Sequence, residues 1–226
     1  MHNFYMQQVI YWMPGMAASS KIFERIQLDE NLYQSYFLEW DLPLENESLR
    51  AYAARMCEKI IHPNPILIGV SFGGILVQEM AKVIPTSQVI IISSVKCNQE
   101  LPPPMQLAKK TKVHKLFPTG IFTNLSVLTK FAFGDYVKQR VKLYEIYLAR
   151  KEKAYLDWAI DQVVNWDREV PDPNIIHIHG DKDEVFPAKY LLPYKQVKGG
   201  THLMILNRFR WFNENLPKIL NSNPLP

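Results

Sequence analysis

Short apolar runs separated by amphipathic stretches set the rhythm of the chain. Gln8–Trp12, Tyr33–Leu38, Ile66–Val70 and Gln88–Ile92 are β-branched, aromatic or continuously apolar, the pattern of strands buried in a sheet. Between them lie segments with helical spacing. Ile22, Phe23, Ile26 and Leu28 share one face after a possible cap at Ser19 or Ser20. Leu49, Tyr52, Ala53, Met56, Ile60 and Ile61 form a stripe from Glu47 to Ile61, and Ile75, Leu76, Met80 and Val83 repeat the spacing from Gly74 to Val83. Strands return at Asn174–His179 and Tyr194–Lys198, and a closing helix over Leu203–Leu216 turns Leu203, Leu206, Phe209, Phe212 and Leu216 inward. Strictly alternating strands and helices predict an α/β fold, with a mostly parallel sheet of about six strands and helices on both faces as a three-layer sandwich.

One stretch breaks the rhythm. Between Lys96 and Val170 three consecutive prolines, Pro102, Pro103 and Pro104, precede helical patches at Met105–Leu116, Ser126–Phe133 and Asp135–Val164, rich in Phe, Tyr and Trp. That is too long for a crossover and predicts a helical cap, residues 96–170, inserted into a single domain of residues 1–226. From Lys96 to Lys153 twelve Lys or Arg face four acids, so this part of the cap carries a net charge of +8 while the whole chain is +4. A solvated lysine-rich face explains such a run, and so does an acidic partner.

Composition narrows the class. With 47% hydrophobic and 21% charged residues the chain reads as globular. No apolar window is long enough for a membrane span, and the first residues lack a signal-peptide pattern, so a cytoplasmic protein without membrane or nucleic-acid partners is expected. Cys57 and Cys97 are too few for a disulfide framework and read as packing residues.

The chemistry concentrates at strand ends. Gly69-Val70-Ser71-Phe72-Gly73 has the G-x-S-x-G spacing of a sharp strand-to-helix turn that presents a serine hydroxyl. A serine needs a neutral imidazole to accept its proton and a carboxylate to orient that imidazole. Asp183 and His202 follow the last two strands, in the order Ser, Asp, His. Asp181 and Glu184 compete for the role of acid, with Asp181 suited to capping the turn.

Four motifs, WMPGM, GVSFGG, HGDKDEVFP and GGTHLM, recur at strand ends along nearly the whole chain, which in this resembles the α/β-hydrolase fold. The resemblance implies Ser71 as nucleophile, Asp183 as the acid, His202 as the base, and the backbone N–H groups of Met16 and Phe72 as an oxyanion hole. Three features depart from the pattern. Pro14-Gly15 stands where many relatives have His-Gly, Val70 precedes the serine where His is frequent, and no room is left for two N-terminal antiparallel strands. His177-x-His179-x-Asp181 also resembles the metal-binding run of the metallo-β-lactamase fold, but Lys182 replaces a further His and no metal or other cofactor is expected. The expected activity is a carboxylesterase-like hydrolase cleaving an ester or thioester of an apolar acyl chain through an acyl-enzyme on Ser71. The alternatives are a thioesterase or esterase whose basic cap docks an acyl carrier protein or CoA, and a catalytically silent binding protein on the same scaffold.

Overall fold

The computed structural model describes residues 7–111 and 145–222. Six strands form one sheet: β1 (Gln8–Met13), β2 (Tyr33–Phe37), β3 (Ile66–Val70), β4 (Gln88–Ile92), β5 (Ile176–Gly180) and β6 (Lys195–Val197). Their order is β2-β1-β3-β4-β5-β6 and every neighbouring pair is parallel. Side-chain alternation along these strands divides the core in two. Tyr11, Met13, Leu67, Val89 and Ile91 face α1 (Leu49–Cys57), α2 (Phe72–Met80) and α4 (Lys153–Asn165). Ile10, Trp12, Ile68, Ile90 and Ile178 face a 3₁₀ turn at Ser20–Phe23, the single turn α5 (Met204–Asn207) and α6 (Phe209–Asn221). Both sheet faces are covered, which is why β3 is apolar throughout and β4 is apolar at every position after Gln88.

Several sequence expectations give way to tertiary contacts. The helix expected from Ser19 to Leu28 is only the Ser20–Phe23 turn. α1 is shorter than its stripe: the Ser48 hydroxyl caps it by accepting from Ala51 N–H at 3.2 Å, it ends at Cys57, and Ile61 is exposed. α2 ends at Met80, leaving Val83 outside the core. The closing helix is broken at Arg208, and Phe209 lies half-buried under the Arg25 guanidinium, 3.5 Å from its ring centroid, rather than in the core.

The excursion after β4 differs most. α3 spans Pro103–Thr111, with proline at the start of the helix, where its missing N–H costs nothing. Residues 112–116, the Ser126–Phe133 patch and residues 135–144 lie outside the described residues. A continuous helix to Val164 is not formed: residues 148–152 are extended and α4 starts only at Lys153. The reason is pairing with the loop after β1. Ala149 and Arg150 N–H both donate to Ala17 O, at 2.8 and 3.2 Å, Leu148 bridges Ala18 antiparallel, and Ser19 N–H donates to Tyr147 O.

Candidate active site

β3 delivers Ser71 to the carboxyl edge of the sheet, where neighbouring strands also end. Its N–H still donates to Ile92 O of β4 at 2.9 Å, so the strand stays paired up to the turn. The chain then reverses into α2, with Ser71 at φ 53°, ψ −120°, a conformation that costs a non-glycine residue roughly 1–3 kcal/mol. Close packing makes that reversal possible. A Cβ on Gly69 would overlap Gly73 O, and one on Gly73 would overlap the Pro14 carbonyl, so backbone approaches there demand glycine. The second clash was not visible in the sequence, because it comes from the loop after β1.

His202 follows β6 and Asp183 follows β5. The His202 Nδ1–H donates to Asp183 Oδ2 at 2.8 Å, which leaves Nε2 as acceptor for the Ser71 hydroxyl, 2.9 Å away. Asp183 Oδ1 accepts from the N–H groups of Val185 and Phe186, both at 2.9 Å. Burial alone would push this carboxyl up, but the adjoining His202, His179 and backbone donors outweigh it and hold it below the ordinary carboxylate value. A serine hydroxyl on an imidazole that a buried carboxylate orients can lose its proton as it attacks a carbonyl carbon. Asp181 is exposed instead; its two oxygens accept from Gly199 N–H and Gln196 Nε2, tying the loop after β5 to β6 and the loop that follows it. Glu184 is exposed as well.

Met16 and Phe72 border the same cavity as Ser71 and His202. Phe72 is the first residue of α2, where an N–H has no intrahelical acceptor and the helix end carries partial positive charge. The loop bearing Met16 is held from three sides by residues that sequence reasoning did not single out. Trp40 Nε1 donates to Gly15 O at 2.7 Å, and Arg150 Nε donates to Trp40 O at 2.7 Å. Ala17, at φ 62°, directs its N–H to the Tyr155 hydroxyl at 3.2 Å. Tyr155 and Trp40 are fully buried. Nothing in spacing distinguishes them from ordinary core aromatics.

The cavity above Ser71 is almost wholly apolar. Leu156, Ile160, Val163 and Val164 recur on one face of α4 and line it, opposed by Phe186 and Ile205. His202 is the one titratable side chain among the described residues that border it. His177 and His179 hydrogen-bond to each other at 3.1 Å below this surface, and His62 sits between the Tyr11 and Tyr36 hydroxyls. His2 and His114 lie outside the described residues.

No protein-family model and no curated protein matches the sequence. Solved structures do match. A bromoperoxidase from Bacillus anthracis is similar with a TM-score of 0.68 and 20% identity, over 96% of this chain and 92% of that one. A thermophilic esterase from Thermogutta terrifontis, solved with malate bound, has a TM-score of 0.66 at 10% identity over 96% and 90%. The enol-lactonase from Burkholderia xenovorans LB400 reaches 0.70 at 9% identity over 95% and 92%. At such identities the likeness speaks for architecture alone, and together with the six-stranded parallel sheet it establishes that this chain has the α/β-hydrolase fold.

Proposed function

We propose that the protein is a serine hydrolase that cleaves esters of apolar carboxylic acids, with Ser71 as nucleophile, His202 as general base and acid, and Asp183 as the group that orients His202. The observation that carries this reading is the unbroken line of hydrogen bonds from Ser71 Oγ to Asp183, at 2.9 and 2.8 Å, at the floor of an apolar cavity. Esterases and a lactonase among the structural neighbours agree with it.

In this mechanism Ser71 Oγ attacks the carbonyl carbon while its proton passes to His202 Nε2. The tetrahedral oxyanion faces the Met16 and Phe72 N–H groups, and each such donor is worth roughly 3–4 kcal/mol in the transition state. His202 returns the proton to the leaving oxygen, the acyl group stays on Ser71, and water activated by the same imidazole releases the acid. We further propose that residues 96–170 act as a cap within one domain, α3 and α4 being its described part; Met105 and α4 supply the wall against which the acyl chain packs.

A carrier-borne thioester is the second reading, motivated by the basic excursion. Several of its cations are already engaged inside the molecule: Lys96 Nζ on Pro193 O, Lys109 Nζ on Trp166 O, and Arg150 on Trp40 O and Glu152. The free oxygen ester is therefore favoured. No helix among the described residues is long and apolar enough to cross a membrane.

A fluorophosphonate probe tests the reading. Wild type is expected to be labelled on Ser71, and Ser71→Ala not at all. Folded wild type that resists labelling would instead favour a silent binding scaffold.

A further inference from the structure

The acid loop rests on two imidazoles that the proposed reaction does not use. His177 and His179 stand two apart on β5 and so lie on one face of the sheet, their rings edge to face at 5.0 Å. Both are buried, His179 completely. Nε2 of His179 is 2.9 Å from Phe186 O and 3.4 Å from Asp183 Oδ2, the same oxygen that receives His202 Nδ1–H.

Those contacts assign the hydrogens. A carbonyl and a carboxylate only accept, so Nε2 of His179 carries the hydrogen. Burial pushes both rings below the ordinary histidine value; for His177 the nearby His179 and Lys96 add to that, while for His179 Asp183 and Phe186 O oppose it. A neutral His179 therefore has a bare Nδ1, which lies 3.1 Å from His177 Nε2. Tyr194 packs its ring against both imidazoles, and the Lys96 amine and buried Glu100 tie the surrounding loops to Pro193 and Leu192.

We propose that His179 is a positioning residue for Asp183: its Nε2–H, held on Phe186 O, lies 3.4 Å from the Oδ2 that receives His202 Nδ1–H. The inference rests on the triad reading above. The positive end of the His179 N–H beside Oδ2 restrains the carboxylate and draws on its charge. His202 then meets a less basic partner, and its protonated form is stabilised less than a singly bonded carboxylate would allow. Leucine at 179 removes that donor, and the acid limb of kcat/KM should rise.

The test follows kcat/KM for p-nitrophenyl butyrate against pH in wild type, His179→Leu, His179→Gln and His177→Leu, beside long-range ¹H–¹⁵N spectra of the imidazoles. In wild type the spectra are expected to place the hydrogen on Nε2 of His179. His179→Leu is expected to move the acid limb upward by about 0.5–1 pH unit. His179→Gln keeps an N–H donor and should return it towards wild type, and His177→Leu should shift it less than His179→Leu. A hydrogen on Nδ1 of His179 in wild type overturns the proposal without any variant having to fold. So does an acid limb that stays put in His179→Leu while the protein still reacts with fluorophosphonate, and that outcome leaves the triad standing. Folded wild type that resists the probe removes the triad and this inference with it.

Discussion

The Ser94 hydroxyl donates to the backbone carbonyl of Ser71 at 2.7 Å, tying the strained turn after β3 to the end of β4. The same side chain lies where a Cβ on Gly74 would have to go. Ser94 thus holds the first turn of α2 in place, although 23 residues separate it from Ser71. Replacing Ser94 by Ala should cost about 1 kcal/mol of stability and slow fluorophosphonate labelling of Ser71 several-fold. Labelling kinetics check this; an unchanged rate would show that the turn holds its shape unaided.

Tyr155 holds the Met16 loop through the Ala17 N–H. Burial raises its phenol well above the ordinary value, so it stays a neutral hydroxyl, able to accept this bond, across the working pH range. Tyr155→Phe leaves the aromatic packing and removes the acceptor. A kcat lower by roughly tenfold, with KM little changed, is the expected result for a misplaced oxyanion donor. A change confined to KM would argue for a role in binding instead.

Chain-length preference should lie with α4. Ile160 faces the cavity between Leu156 and Val164, so Ile160→Trp fills it. Activity on p-nitrophenyl octanoate is expected to fall by at least about tenfold while the acetate ester is spared, because lost apolar burial amounts to about 0.8 kcal/mol per methylene. Parallel losses on both esters would place the acyl chain elsewhere.

Stability should fall in mild acid. His177 and His179 have folded-state values below the ordinary 6.5, so the unfolded chain binds protons that the folded chain refuses. Their contribution is complete above 6.5 and drains away as pH falls below it, by up to about 1.4 kcal/mol per pH unit for each ring. Urea melts between pH 7.5 and 5 read this slope, and His177→Leu should reduce it.

The two cysteines should be inert. Cys57 is buried and its thiol is pushed up to about 11 by burial, and burial raises Cys97 as well. Native protein at pH 8 is expected to resist iodoacetamide, with both cysteines reacting only in denaturant. Mass spectrometry counts the adducts.

Much of this was legible in the chain. Short β-branched or aromatic runs bounded by turn residues marked the strands, and those at the centre of the sheet are almost wholly apolar because both of their faces are covered. Ser71 and His202 stood out because each follows a strand and carries chemistry that its neighbours lack; Asp183 had two carboxylate rivals, Asp181 and Glu184, and the structure brings Asp183 within hydrogen-bond reach of His202 and His202 within reach of Ser71. Helix limits were less legible. Residues 148–152 have helical composition yet run extended, since two N–H groups found Ala17 O across more than a hundred residues of sequence.

By itself the sequence determined the fold class and the residues that meet at the strand ends, since burial period and turn chemistry are local properties. The tertiary structure alone decided what surrounds them: Ser94 on the Ser71 carbonyl, Tyr155 and Trp40 on the Met16 loop, His179 on Asp183. Those contacts join residues far apart in the chain through single hydrogen bonds, and a hydrogen bond between distant residues leaves no periodicity behind.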